Sequence, residues 1–290
     1  MMHRNKAIKD SLGLRITKII IFVLFVLYSF SLIFPFLWMI LNSFKTNQEF
    51  FNDIWGLPTN PSAFIDNFIT AITMKNSGST IIEMTLRSIF ITIVGVIAST
   101  ISCTCISYAI AKYKFPGRGL IYAVAIGVML IPTVGSTSAT YKLINDLGLY
   151  NNYLALILLY SGGFGFQFLL LHSTFKSISW TYAEAAMVDG ASDFRVFTTV
   201  MLPLATPTMI PLVILNVISL WNDYFTPYMY LKGKPTLAVG LQAMVSQMEY
   251  NANWPALFVL MLLSMLPIII LFICFQKQIM TNVTAGGLKG

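Results

Sequence analysis

Charged side chains that could bind a partner lie between two strongly apolar stretches in residues 181–207 (TYAEAAMVDGASDFRVFTTVMLPLATP). The segment carries Glu184, Asp189, Asp193 and Arg195, whereas the apolar stretches on either side carry almost no charge. Ionised side chains form strong hydrogen bonds to partners, and they are costly inside hydrocarbon. The segment is therefore predicted to lie in water beside a membrane, where its charges are open to a partner.

The spacing within this segment predicts two short helices joined by a glycine turn. Thr181 and Glu184 have the spacing of a capping box, in which each side chain satisfies a free backbone N–H of the first turn. Gly190 stands where a left-handed residue ends a helix, and Ser192 or Asp193 then caps the second helix.

The second helix is predicted to carry an apolar stripe at Phe194, Phe197 and Met201. It is predicted to end at Pro203, because proline lacks the N–H that a helix requires. The two helices would form a small unit, called the knob below and defined as residues 181–203.

The composition places the knob in a membrane protein. The chain of 290 residues is 57% hydrophobic and 10% charged, with a mean hydropathy of +0.75. Soluble domains are roughly 25% charged. Stretches of about 20 apolar residues cross the ~30 Å of bilayer hydrocarbon. Six such spans are predicted, at 19–42, 88–111, 119–141, 153–175, 206–230 and 255–276.

The positions of the cations predict the orientation. Six spans put both termini on one side, together with the loops 112–118 and 176–205. Twelve of the 18 Lys and Arg residues lie on that side. The positive-inside rule therefore predicts that the N-terminal segment 1–18, the loop 177–205 and the tail 277–290 are cytoplasmic. Topology also accounts for the net charge of +7, so no nucleic-acid partner is needed.

The three cysteines give only weak evidence of a functional site. Cys103, Cys105 and Cys274 all fall inside predicted spans, and the first two form a C-x-C pair. No His or carboxylate lies near them in sequence, and Cys serves as a small apolar residue at helix contacts. We therefore predict no metal site and no disulfide framework.

The knob sequence resembles a known element. The run Glu184-Ala-Ala, with Gly190 six residues after the glutamate and Leu-Pro203 at its end, resembles the coupling loop of ABC importer permeases. The fuller string resembles the smaller permease subunit of maltose-type carbohydrate-uptake systems. Ser179 and Ala183 depart from the family pattern, which usually has proline and an acid there.

Further matches in the same order extend the resemblance over residues 14–290: ISYAIAKYKFPGR (106–118), Met129-Leu-Ile-Pro132, Asp146-Leu-Gly-Leu149, Trp221-Asn-Asp-Tyr224 and the glycine-rich Thr284–Gly290.

The resemblance implies an all-α, polytopic permease of a type I ABC importer in a bacterial cell membrane, with a cytoplasmic helix-turn-helix coupling loop. It implies an ABC ATPase dimer, a homologous second permease, an extracellular solute-binding protein and a sugar substrate as partners. The chain has no G-x-x-x-x-G-K-S/T phosphate loop, so ATP and Mg²⁺ are expected on the ATPase, with no cofactor and no enzymatic site on this chain. The residues implied to contact the ATPase are Glu184, Ala185, Ala186, Asp189, Gly190, Leu202 and Pro203.

A sugar path needs hydroxyl, amide and aromatic groups within the spans. The candidates are Ser136, Thr137, Ser138, Thr140, Trp221, Asn222, Asp223 and Tyr224. Asp223 could instead form a structural pair with Asn222 or a partner helix, and the hydroxyls could simply pack or bond to the preceding helical turn. Gly162, Gly163 and Gly165 are predicted to permit close helix approach or a break.

Two outer segments, 43–87 and 231–254, are too long for turns; they could dock a binding protein or anchor the chain at the interface. Alternative functions are an ABC permease for a polyamine or phosphonate and an ion-coupled secondary transporter. The second would often show inverted repeats and buried charge pairs, which the sequence lacks.

Overall fold

Helices account for almost all of the described secondary structure, which confirms the predicted all-α class. The computed structural model describes residues 12–76, 78–130, 135–247 and 253–286. The exception in these ranges is one antiparallel pair of two-residue strands, β1 (Lys75–Asn76) and β2 (Ser79–Thr80). The helices are α1 (Leu12–Ser43), α2 (Asn47–Asn52), α3 (Ala63–Thr73), α4 (Ile81–Lys112), α5 (Arg118–Leu130), α6 (Thr137–Asp146), α7 (Tyr153–Tyr160), α8 (Phe166–Ser177), α9 (Thr181–Val188), α10 (Asp193–Val196), a π-helix (Phe197–Met201), α11 (Leu202–Asn222), α12 (Phe225–Tyr230), α13 (Leu237–Gln247) and α14 (Trp254–Gly286).

Four helical stretches are long and apolar enough to cross a membrane: α1, α4, the run Asp193–Asn222 and Trp254–Gln278 of α14. They coincide with four of the predicted spans. The other two predicted spans each consist of two shorter helices. Residues 119–141 contain α5 and the start of α6, with 131–134 outside the described residues, and residues 153–175 contain α7 and most of α8.

Glycines explain the interruption between α7 and α8. Gly165 precedes α8 with φ of 149°, a conformation that side chains rarely adopt. A Cβ on Gly163 would lie 2.3 Å from Ile106 Cδ1 of α4, so this glycine allows close approach of the two segments. Both predicted roles of the glycine cluster, a break and a close helix contact, are confirmed.

The predicted fifth span ends earlier than expected. The helix stops at Asn222 because Asp223 is extended, with ψ of 109°. Asp223 Oδ1 then accepts a hydrogen bond from Thr226 N at 3.0 Å and caps the start of α12.

Two compact units are present. The first contains Met1–Ala71 and Ala252–Leu262, and the second contains Ile72–Asn251 and Leu263–Gly290. The first unit has an aromatic cluster in which Trp38 lies 5.3 Å from Phe258 and 6.1 Å from Phe50, measured between ring centroids. This unit also contains α2 and most of α3, which lie in the predicted segment 43–87.

The second unit is built around α4, which contacts α7, α8, α11 and α13. A row of small residues lies on the buried side of α4 and lets these helices approach closely. Its members are Ser88, Thr92, Gly95, Ser99, Cys103 and Ser107, all of them buried.

Candidate functional site

The first knob helix, α9, begins without the predicted capping box. Its N-cap is Trp180, which makes no side-chain cap, and Glu184 N already bonds to Trp180 O at 3.0 Å. Thr181 is therefore inside the helix by one residue, and its N–H is accepted by Ser179 Oγ at 3.3 Å. The capping-box prediction was wrong because a one-residue shift of the helix start removes the required geometry.

The turn after α9 has the predicted left-handed glycine. Gly190 has φ of 84°. Gly190 N bonds to Met187 O at 2.9 Å and Ala191 N bonds to Ala186 O at 3.0 Å, which together form a Schellman motif. This pair of hydrogen bonds satisfies the last carbonyls of α9 and fixes the direction in which the chain leaves it.

The second knob helix begins where the sequence predicted but does not end there. Ser192 is the N-cap, and its Oγ accepts a hydrogen bond from Arg195 N at 3.4 Å. The helix continues through the π-helix into α11, so the prediction that Pro203 ends it was wrong. Pro203 falls in the first turn of α11, where a missing N–H is tolerated.

The buried side of the second knob helix differs from the predicted stripe. Val196 and Met201 are fully buried and Phe197 is half-buried, whereas Phe194 is 75% exposed. The wider turn of the π-helix changes which residues share a face, so the simple helical spacing failed for Phe194.

Most of the residues predicted to contact the ATPase are exposed. Glu184, Ala185, Asp189, Gly190 and Pro203 are exposed, and Ala186 and Leu202 are half-buried. Large apolar side chains that the sequence analysis did not select lie among them: Tyr182 is 57% exposed and Val188 is 87% exposed. The signal that could have identified them was their place in short helices already predicted to face water.

Aromatic packing holds the knob against α4 and α8. Tyr108 of α4 lies 4.7 Å from Phe197 and 5.4 Å from Phe175, measured between ring centroids. Trp180, before α9, makes an edge contact at 6.3 Å with Tyr113. Lys112 Nζ, at the end of α4, donates a hydrogen bond to the carbonyl of Ile178. These contacts make the knob and the ends of α4 and α8 one packed body.

The residues around the end of α11 have mainly structural contacts. Trp221 is buried, and its Nε1 donates to Ser264 O at 3.1 Å. Asp223 Oδ2 accepts a hydrogen bond from the Tyr160 hydroxyl of α7 at 2.9 Å. Asn222 is exposed and its Nδ2 donates to Ile218 O at 2.8 Å, so Asp223 is paired with a neighbouring helix and not with Asn222.

The predicted hydroxyl cluster lies at the start of α6. Ser136 and Ser138 are exposed, and Thr137 and Thr140 are half-buried. Thr140 Oγ1 donates to Ser136 O at 2.9 Å, which is the bonding to the preceding turn that the sequence left open. Pro132 of the neighbouring motif lies outside the described residues.

A cavity of about 700 Å³ lies between α12, the turn after it and α13. The sequence analysis selected only one of its residues, Tyr224. Four others, Val239, Gln242, Ala243 and Ser246, have the i, i+3, i+4, i+7 spacing of one helix face, which could have indicated a shared surface.

Metal-ligating side chains do not cluster in the described ranges, where no three His, Cys, Asp or Glu residues lie close enough to hold a metal ion. Cys103 is buried beside α8, and Cys105 and Cys274 are exposed. The prediction that they serve as small apolar residues at helix contacts fits the position of Cys103.

Comparison with known proteins adds an independent result. A family model described as the binding-protein-dependent transport system inner membrane component matches residues 103–284. The chain is 30% identical over 266 residues to the diacetylchitobiose uptake system permease protein NgcG of Streptomyces coelicolor, covering 91% of this chain and 86% of that protein. It is 28% identical over 279 residues to the trehalose/maltose transport system permease protein MalG of Thermococcus litoralis, covering 94% and 97%.

A solved structure shares the fold. A chain of a bacterial ABC transporter that imports the acidic polysaccharide alginate matches with a TM-score of 0.81 at 22% identity, covering 93% of this chain and 99% of that chain. Fold, family model and curated relatives agree with the resemblance drawn from the sequence. The chain is a multi-pass membrane protein and belongs to the inner membrane components of binding-protein-dependent transport systems.

Proposed function

We propose that this chain is one of two permease subunits of an ATP-driven importer for a sugar or oligosaccharide, and that its knob binds the ATPase. The observation that carries the proposal is the knob itself: it exposes large apolar side chains, its buried side chains pack against α4 and α8, and its second helix continues into α11. The relatives named above are sugar permeases, which supports a carbohydrate as the solute.

The exposed side of the knob has the composition of a protein-binding surface. Tyr182, Val188 and Phe194 are 57%, 87% and 75% exposed, and large apolar side chains exposed on a segment this small are available for contact with a partner. Glu184 and Asp189 add acceptors for charge-assisted hydrogen bonds at the rim, and Ala185 leaves room for close approach.

The buried side of the knob provides the mechanical connection. Val196 and Met201 pack in one core with Phe175 of α8 and Tyr108 of α4. A displacement of the knob by a moving ATPase therefore displaces α4, α8 and α11 together, because packed side chains transmit strain with little compression. Alternating access to the solute would follow from this rigid-body movement.

The knob is assigned to the cytoplasm on the basis of charge. It lies at the end of α4 and α8 that also carries Lys112, Lys114, Arg118 and Lys176. Arg118 Nη1 donates to Tyr113 O at 3.1 Å, which keeps that loop at the same end. The positive-inside rule favours the cytoplasm for such an end.

The remaining partners follow from the chemistry of import. This sequence has no phosphate-binding loop, so ATP and Mg²⁺ are assigned to a separate ATPase dimer. A second permease completes a path wide enough for a sugar, and an extracellular binding protein delivers the solute. A related solved transporter of alginate was captured with its pentasaccharide-bound periplasmic protein, which supports the last assignment.

The test is co-purification of the ATPase with charge variants of the knob. Val188→Asp and Glu184→Arg are expected to weaken association, each by about tenfold if they lie in the centre of the contact. Leu147→Asp is the matched control, because Leu147 is 60% exposed beyond the end of α6 and outside the knob. Normal ATPase recovery and normal sugar-stimulated ATP hydrolysis in both knob variants would reject the proposal.

Gly190 gives a second test that does not depend on the contact surface. A Cβ at this position meets no atom within 4 Å, so substitutions act through the backbone, whose φ is +84°. Gly190→Val is expected to change the turn and uncouple ATP hydrolysis from uptake, whereas Gly190→Asn should retain more coupling because asparagine tolerates this conformation better.

A further inference from the structure

The cavity beside α12 and α13 has the construction of a binding site. Tyr224 and Tyr228 are four residues apart and form one wall, and Tyr228 is 64% exposed. One face of α13 forms the other wall, and the small residues Ala243 and Ser246 on it leave the space open. A volume of about 700 Å³ lies within the ~300–1,000 Å³ typical of small-molecule sites.

Polar groups on these walls are open to a ligand. In the described part of the chain, no hydrogen bond joins the side chains of Tyr228, Gln242 or Gln247 to another protein group. Each amide offers two donors and an acceptor oxygen, and each phenol offers one donor and an acceptor. The walls therefore combine aromatic faces with both kinds of hydrogen-bonding group.

The charge of the cavity narrows the ligand class. Among the described residues that line it, Lys232 is the one that carries a charge. Asp223, one residue before Tyr224, is already bonded to Tyr160 and to Thr226 N. The described part of the lining therefore has one cation and no carboxylate, which opposes binding of a polyamine and favours a neutral or anionic solute.

The cavity lies where a solute would bind before it enters the path between the membrane-spanning helices. It adjoins the end of α11 at Asn222, whereas α11 begins at the knob. The 21 residues of α11 are about 31 Å long at 1.5 Å per residue, which is the thickness of the hydrocarbon. The cavity is thus at the membrane face opposite the knob.

We infer that this cavity is a saccharide-binding subsite on this chain, at the outer entrance of the path. Tyr228 and Tyr224 present aromatic faces to the C–H side of a sugar ring, Gln242 and Gln247 bond its hydroxyls, and Lys232 Nζ donates to a carboxylate or hydroxyl oxygen near the turn. The inference rests on the proposed function in taking the solute to be a sugar.

The test measures binding to the full permease–ATPase complex in nanodiscs without the binding protein. The probes are radiolabelled maltotriose, diacetylchitobiose and spermidine, measured by equilibrium dialysis. We expect one of the two saccharides to bind and spermidine not to bind. Tyr228→Ala and Gln242→Ala should each weaken binding about fivefold, and about 25-fold together, from the loss of one ring contact and one hydrogen bond. Phe225→Ala is the control, because Phe225 is also an exposed ring of α12 (48%) but lies outside the cavity lining.

The outcomes separate this inference from the proposed function. The subsite would be overturned if the double variant kept its saccharide affinity or lost only as much affinity as Phe225→Ala. In that case, normal uptake and ATPase association would still support the importer assignment. Binding of spermidine in preference to either saccharide would overturn both the subsite and the sugar assignment. A complex that lacks an ATPase would contradict the proposed function directly, whatever the cavity binds.

Discussion

Helices α1 and α4 each contain 32 residues and each is apolar enough to span a membrane, yet they differ in burial. None of the most apolar 18 residues of α1 is buried, whereas 39% of those of α4 are. The difference follows from side-chain size and not from hydropathy. In α4 a row of Ser, Thr, Gly and Cys residues lets neighbouring helices approach, and α1 carries large side chains on every face.

This difference indicates which apolar spans pack inside the chain and form its core. Lipid is as apolar as leucine, so hydrophobicity alone does not drive one membrane helix against another. Close van der Waals contact drives this association, and it requires small side chains where the helices touch. The following variants test whether packing around α4 carries the stability of the second unit.

The largest effect is expected from Phe168→Ala in α8. Phe168 is fully buried against α4, and its removal leaves a cavity that costs about 3 kcal/mol. Phe22→Ala in α1 is the matched change, and it should cost less than about 0.5 kcal/mol because Phe22 is 68% exposed. Unfolding of the detergent-solubilised chain measures the stability lost in each variant. Equal losses of stability would contradict the contrast drawn between α1 and the helices packed on α4.

The next effect is expected from Gly95→Leu in α4. A Cβ at this position would lie 2.7 Å from Leu220 Cδ2 and 3.0 Å from Tyr160 Cδ2, so the added side chain must push α7 or α11 away. Overpacking of this kind costs about 2 kcal/mol. Ser29→Leu on α1 serves as the control, since Ser29 is exposed. A stable Gly95→Leu protein with a normal melting temperature would show that α4 does not pack as described.

A smaller effect is expected from Asp223→Ala, which leaves the Tyr160 hydroxyl and Thr226 N without their shared acceptor. The loss should be about 1–2 kcal/mol, because two half-buried donors are left unsatisfied. Asp223→Asn keeps an acceptor and should lose less. Sugar uptake measured on the same variants separates a structural role of Asp223 from a role in transport. If uptake is normal in Asp223→Asn and falls only in variants that have lost stability, Asp223 is a structural residue.

The smallest effect concerns pH at the end of α1, where α2 is fixed by Glu49. The pKa of Glu49 is lowered from 4.5 to about 2 by the hydrogen bond from the Thr59 hydroxyl and then by that from Thr46 N. Since the folded pKa is the lower one, the ionised carboxylate stabilises the fold above about pH 4.5, and this contribution is lost as pH falls toward 2.

Melting curves between about pH 6 and pH 3 should therefore show a steeper fall in the wild type than in Glu49→Gln. Glu83→Gln at the similar capping box that begins α4 is the control for a changed cap. Parallel curves for the wild type and Glu49→Gln would contradict the assigned role of this carboxylate.

Local signals in the sequence were enough for much of the knob. Gly190 and Ser192 were identified because a left-handed stop and a helix cap depend on a few neighbouring residues. Membrane spans were identified for the same reason, since hydropathy is a property of a single segment.

Features that depend on contacts between segments were predicted less well. The continuation of the helix through Pro203 depends on the preceding π-helix, whose hydrogen bonds no local pattern specifies. The partner of Asp223 is Tyr160, 63 residues earlier in the chain. The cavity walls come from two helices separated by a turn, so only Tyr224 was found beforehand.

The unbroken run Asp193–Asn222 has a mechanical consequence. Its 30 residues are about 45 Å long, so it exceeds the ~30 Å of hydrocarbon and forms a lever with a short arm outside the bilayer. Pro207, Pro211 and the wide turn at Phe197–Met201 remove hydrogen bonds near the short arm, so bending is concentrated there. Residues 212–222 can then tilt as one piece about this bend, while the end of the run next to the knob stays packed in one core with α4 and α8.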